Sequence, residues 1–135
     1  MPGKYEVSTD ARRFDIDLIH RFLAASYWAE GRSRDTVEKS IRHSMCFGVF
    51  DGEKQVAFAR VITDRAVFGY LADVFVVPEC RGRGISKGLI ASILEHPDVK
   101  GLKVFMLRTR DAHGLYEQFG FHLLPSADEM MVRYG

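Results

Sequence analysis

Hydrophobic and polar positions change period several times along the chain, and each change marks an element. Tyr5-Glu6-Val7-Ser8 alternates and predicts a short first strand. Phe14, Leu18, Ile19 and Phe22 then recur at helical spacing, with Leu23 widening the stripe, so a helix packed on a core follows. The period fails through Ser26-Tyr27-Trp28-Ala29-Glu30-Gly31-Arg32, and a loop is expected there. Ser33 to Ser44 reads as a second helix, with Ser33 or Arg34-Asp35-Thr36 at its start, Val37 and Ile41 on its inner face, and Glu38, Lys39 and Arg42 solvated. Cys46 to Phe50 and Gln55 to Ile62 flank Asp51-Gly52-Glu53-Lys54, and Asp-Gly between apolar runs predicts a hairpin. A turn near Asp64-Arg65 leads to a strand over Phe68 to Val77.

The second half returns to helical period. Ile85, Leu89, Ile90, Ile93 and Leu94 share one face, and Pro97 limits the helix. Lys103 to Leu107 reads as a short strand, and Asp111 to Phe119 as a helix stopped by Gly120. Phe121 to Leu124 and Met130 to Tyr134 are expected to close the sheet as an antiparallel pair. Hairpins before the glycine-rich stretch and a helical crossover after it predict a mixed, mostly antiparallel sheet flanked by helices, in one α/β domain over residues 1–135.

A chain of 135 residues builds a core without staples or metals, and an apolar fraction of 47% suits a globular domain. A net charge of +1 argues against a nucleic-acid or polybasic membrane surface. No apolar run is long enough for a signal peptide or a membrane span, which leads to the expectation of a cytoplasmic protein. Cys46 lies in an apolar strand and reads as buried. Cys80 stands beside cations that favour a thiolate, but a catalytic thiol is not expected there, since loop filler at such a position is commonplace. The two cysteines and five histidines have no metal-ligand spacing, so no metal is expected.

The chemistry concentrates in Phe75-Val76-Val77-Pro78-Glu79-Cys80-Arg81-Gly82-Arg83-Gly84-Ile85-Ser86-Lys87-Gly88-Leu89: an apolar strand, a glycine-rich loop with cations, and a helix start. A helix N-terminus offers unpaired N–H groups and partial positive charge to an anion. Gly82 and Gly84 permit left-handed backbone and close approach, while Arg81, Arg83 and Lys87 add charge. A nucleotide-triphosphate loop requires Gly-Lys followed by Ser or Thr, and here the lysine follows the serine. A dinucleotide fingerprint requires its third glycine one position before Gly88 and a first-strand location. The remaining reading is Arg/Gln-x-x-Gly-x-Gly/Ala, a cradle for the pyrophosphate of coenzyme A, with Arg81, Gly84 and Ser86 at its three positions.

With this loop, the strand ending in Val77-Pro78 and the later Leu115-Tyr116-Glu117-Gln118-Phe119-Gly120-Phe121, the chain resembles the GNAT superfamily of N-acetyltransferases. Ser86 departs from the usual Gly or Ala but is small and can donate to a phosphate. The resemblance implies acetyl-CoA as cosubstrate and a splayed strand whose backbone at Phe75, Val76 and Val77 faces the cofactor, with Arg81, Gly82, Arg83, Gly84, Ile85, Ser86 and Lys87 around the phosphates. It places Tyr116 as the acid that protonates the departing thiolate. Thr109 stands where many relatives contact the cofactor through an asparagine.

Asp73 lies in an apolar stretch where an unpaired carboxylate is costly, so it has a task at the incoming amine, access to water, or a cationic or phenolic partner. By the same resemblance the segment from Tyr27 to Arg32 lines the acceptor pocket, with Tyr27 and Trp28 as an apolar wall and Glu30 selecting a cationic acceptor, while a plain helix terminus is the other reading; Arg60, Asp64 and Arg65 are further polar candidates. The implied function is acetyl transfer to a primary amine of a small molecule or peptide by direct attack. A non-catalytic acyl-CoA-binding regulatory module is the alternative. Homodimers are common among proteins of this kind.

Overall fold

The structure is a computed structural model and describes residues 3–135. Five strands form one sheet in the order of the chain: β1 (Tyr5–Ser8), β2 (Met45–Asp51), β3 (Lys54–Thr63), β4 (Phe68–Val76) and β5 (Val104–Leu107). The first four are antiparallel, and β5 lies parallel to β4. The helices are α1 (Ile16–Ala25), α2 (Arg34–Arg42), α3 (Ile85–Glu95), α4 (Pro97–Lys100) and α5 (His113–Glu117). This is the mixed, mostly antiparallel sheet that the pattern predicts.

Local chemistry accounts for the element ends. Asp15 caps α1 by accepting from the Leu18 N–H at 3.0 Å, and Ser33 caps α2 by accepting from Thr36 at 3.2 Å. Asp51 pairs with Lys54, so the β2–β3 hairpin turns on Gly52 and Glu53, with Gly52 at φ 63°. Asp64 accepts from the N–H groups of Ala66, Val67 and Phe68 in the β3–β4 turn, and Arg65 pairs with Asp98. Both candidates are thereby committed to the fold.

Both faces of the sheet are covered, which is why β2 is a continuous apolar run without alternation. Phe47 meets the His96 ring at the end of α3 edge-on at 5.6 Å. Its neighbour Gly48 faces the other way, where a Cβ would come within 2.8 Å of Phe50 and 3.1 Å of Phe14. Along that face Phe22 of α1 stacks on Phe75 of β4 at 4.1 Å.

The expected closing pair is not formed. Residues 121–124 and 130–134 carry no strand, and Leu123, Met130, Met131, Val132 and Tyr134 are exposed. A strand requires a ladder of backbone bonds to a partner edge; Phe121 reaches β5 through its ring, 5.7 Å from that of Phe105, but no strand is formed over either segment.

Candidate active site

Two irregularities in β4 create the site. Pairing of β4 with β5 ends at Leu71 with Leu107, yet β4 runs on to Val76, so its backbone from Ala72 onward faces an opening instead of a neighbour. On the other side Phe58 pairs with Phe75 and Arg60 with Ala72, which sets Asp73 and Val74 against Ala59 alone. This is a β-bulge, and Asp73 sits in it at φ 55°. Aspartate is among the few residues with a side chain that tolerate this region, and bulges re-aim side chains next to functional sites.

The bulge turns Asp73 into the hub of a buried network. Its Oδ1 accepts from Trp28 Nε1 at 3.0 Å, and its Oδ2 accepts from Arg32 Nη1 at 2.8 Å and Arg60 Nε at 2.9 Å. Arg60 Nη1 also donates to Ser44 Oγ at 3.1 Å. The Asp73 side chain is 2% exposed, against 23% for Arg32 and 12% for Arg60. Of the two expectations for this carboxylate, the geometry matches the cationic partner.

After Val76 the chain makes a short turn at Pro78–Cys80 and enters the glycine-rich loop. Gly82 and Gly84 have φ of 78° and 76°. No atom lies within 4 Å of a Cβ built on either, so the backbone conformation, not crowding, requires glycine. Gly84 caps α3 with no side-chain bond, and the first bond into the helix is Gly88 N–H to Gly84 O at 3.1 Å. The N–H groups of Ile85, Ser86 and Lys87 are therefore available to an anion. Arg81 Nε reaches the Val76 carbonyl at 3.3 Å and holds the loop to the strand.

Not every predicted loop residue faces the opening. Arg83 Nη1 donates to the Tyr5 hydroxyl at 2.8 Å and ties the loop to β1. The Ile85 side chain is core, Lys87 is exposed, and Val77 is buried with its N–H bonded to Val56 O at 2.9 Å. Cys80 is buried despite its cationic neighbours, which removes it from consideration as an exposed thiolate.

The opening is a cleft of about 1040 Å³. Of the predicted residues it gathers Tyr27, Trp28, Arg60, Asp73, Phe75, Val76, Arg81, Ser86, Thr109 and Tyr116. Glu30 is exposed and outside the cleft wall, whereas Arg32, two residues on, lines it. Sequence reasoning also missed Arg108 and Arg110, which line the cleft after β5. The triplet Arg108-Thr109-Arg110 was their one sequence signal. Thr109 Oγ1 accepts from the Ala112 N–H at 3.0 Å and shapes the turn into α5.

Tyr116 is buried on α5 with its phenol toward the cleft, and burial followed by the charge of Tyr27 pushes its pKa up to about 12. The phenol stays protonated at neutral pH. Gly120, at φ 88°, ends the helix, and Phe121 N–H returns to Tyr116 O at 3.2 Å. The Phe121 ring packs edge-on against Tyr116 at 5.8 Å.

The model of the acetyltransferase (GNAT) domain matches residues 42–123, from the end of α2 to just past α5. The chain belongs to the GNAT family. A candidate GNAT acetyltransferase of Xanthomonas campestris pv. campestris, known from its crystal structure, is 50% identical over 100% of this chain and 95% of that one, with a TM-score of 0.96. A candidate acetyltransferase of Gibberella zeae is 30% identical over 69% of this chain, and the match spans 64% of that protein's length. The ribosomal-protein-S18-alanine N-acetyltransferase of Escherichia coli, at 18% identity over 87% of this chain and 77% of that one, shares the fold with a TM-score of 0.70. The loop from Arg81 and the segment ending in Phe121 both fall inside the GNAT match.

Proposed function

We propose that this protein is an acetyl-CoA-dependent N-acetyltransferase that acylates a primary amine of a small molecule or peptide by direct attack. The observation that carries the reading is the convergence, in one cleft, of unpaired β4 backbone, an uncapped α3 N-terminus and a buried protonated phenol. The residues fit the cofactor: the free N–H groups at Ile85, Ser86 and Lys87, with Arg81, would hold a pyrophosphate, and the backbone of Ala72 to Val76 would hold the pantetheine arm and thioester oxygen. Acetyl-CoA, when bound, supplies an acyl group activated as a thioester.

The chain's own residues manage the protons. Tyr116 would give its proton to the departing sulfur as the C–S bond breaks and the N–C bond forms, and would regain one from solvent. A thiol of pKa about 8.5 in water would hold that proton less well than this phenol, but the burial that raises the phenol also raises a thiol in the same place. Arg32 and Arg60 favour the neutral amine over the ammonium, since like charges disfavour protonation. Asp73, already accepting three bonds, holds those cations in place, and the amine proton leaves to solvent water.

Titration calorimetry with acetyl-CoA and coenzyme A, repeated on Gly84→Glu, tests the loop. An acceptor panel followed by thiol release tests the reaction. Tyr116→Phe is expected to lower kcat about 100-fold, the lower range for a general acid, and to leave acetyl-CoA affinity intact. Binding without thiol release from any amine would sink the enzyme reading in favour of the regulatory module. Failure to bind either form of the cofactor would sink both.

A further inference from the structure

We propose that the acceptor is a small amine that also carries a carboxylate or phosphate, and that Arg108 and Arg110 receive that anionic group. The proposal rests on the acetyltransferase reading above and names its substrate class. The wall of the cleft beside β4 and β5 presents Arg32, Arg60, Arg108 and Arg110 against only two carboxylates, Asp73 and Asp111. In a chain of net charge +1 this excess is local. Asp73 is committed to Arg32 and Arg60. Among the described residues, neither Arg108 nor Arg110 forms an ion pair.

Position separates these two arginines from the phosphate loop. Leu71 pairs with Leu107, so residues 108–110 leave the sheet beside Ala72 to Val74, at the mouth of the splay, whereas the loop begins beyond Val76. The guanidinium of Arg110 lies over the Tyr27 ring, 3.7 Å from its centroid. Stacking occupies the flat face of the group and leaves its in-plane N–H donors for a planar or tetrahedral oxyanion. Tyr27 in turn packs edge-on against Trp28 at 5.2 Å, which ties this contact to the Asp73 network. A polyamine or other polycation meets like charge here, whereas an anionic amine gains a charge-assisted bond as its amine end lies near Arg32 and Arg60.

The test uses matched amines that differ in the anion. 3-Aminopropylphosphonate is set against propylamine and 1,3-diaminopropane, and L-phenylalanine, L-methionine and L-glutamate are each set against their α-carboxamides. The proposal expects kcat/KM by thiol release to favour the anionic member of the pairs at least about tenfold, the size of one charge-assisted contact. The phosphonate and carboxylate arms distinguish the two anions. In Arg108→Gln/Arg110→Gln the preference should vanish while the acetyl-CoA Kd stays unchanged.

Trp28 is the only tryptophan and lines the cleft, so its fluorescence reports binding without turnover. Its signal should saturate with 3-aminopropylphosphonate on the wild type and not on the double variant. Equal or greater preference for the diamine, a signal that saturates with neither 3-aminopropylphosphonate nor the free amino acids, or loss of acetyl-CoA affinity in the double variant with preference intact would overturn the proposal. Failure of the acetyltransferase reading would show separately, as absent acetyl-CoA binding.

Discussion

Two buried titratable groups respond to alkali in the same direction. Burial pushes Tyr116 from 10.0 to about 12 and Cys46 from 9.0 to about 12, the latter against the opposing pull of Arg60. A folded pKa above the unfolded one means that the native state binds more protons in the window between them. That stability is complete below pH 9–10 and is lost as pH rises toward 12. For Tyr116 the loss amounts to about 2–3 kcal/mol. Urea denaturation from pH 8 to 11.5 should therefore show wild-type stability falling, and falling less steeply in Tyr116→Phe. Parallel curves would refute the role assigned to burial. The same burial keeps the Cys46 thiol unreactive toward alkylation at pH 8, as its apolar setting in the sequence suggests.

Asp73 also belongs to this scale. An acid in Leu71-Ala72-Asp73-Val74-Phe75 was visible as an anomaly, but its partners Trp28 and Arg32 lie 45 and 41 residues away. No local pattern connects residues that only a folded sheet brings together. Asp73→Asn keeps a side chain suited to φ 55° and removes the charge, leaving Arg60 buried and unpaired. Stability should drop by about 3 kcal/mol, at the lower end for a broken buried pair. Because Asp73 positions cations, kcat/KM should fall with its pH profile unchanged in shape. Loss of the acidic limb alone would identify Asp73 as the base instead.

At the scale of elements, the segments whose instructions are local were legible: the Asp51-Gly52 hairpin, the α3 face, the glycine loop and the stop at Gly120. The last also explains why a tyrosine sits where it does. Gly120 takes the left-handed cap, Phe121 N–H bonds back to Tyr116 O, and the two rings pack, which is the Schellman arrangement with its hydrophobic contact. The motif from Leu115 to Phe121 is therefore a clamp on a phenol as much as a helix end. Gly120→Ala should cost about 1–2 kcal/mol for the left-handed backbone. As a positioning change it should lower kcat while the acetyl-CoA Kd and KM stay near wild type. An equal loss in cofactor affinity would show that the cap supports the whole cleft and not the tyrosine alone. What remained illegible in the elements is the register: that β4 carries a bulge and outruns β5 depends on pairing, which side-chain alternation does not encode.

The whole molecule has two unmatched features that complement each other. β5 closes the sheet with one edge unpaired among the described residues, and an unpaired apolar edge invites another strand. The tail beyond α5 holds Leu123, Met130, Met131, Val132 and Tyr134 in solvent, Met131 at 97% exposure, with extended backbone at Met130. Both belong to one chain, so a second copy can accept the tail of the first on its β5 edge and return its own. That is a closed twofold exchange, and it would supply the partner that the expected closing strands lack. The prediction is a dimer in sedimentation equilibrium at tens of micromolar, converted to monomer by Met131→Lys/Val132→Lys with unchanged acetyl-CoA affinity. Charges at these exposed positions cost a monomer little, so an equal loss of thermal stability and association would point to folding instead. A wild type that stays monomeric at millimolar concentration would rule the exchange out.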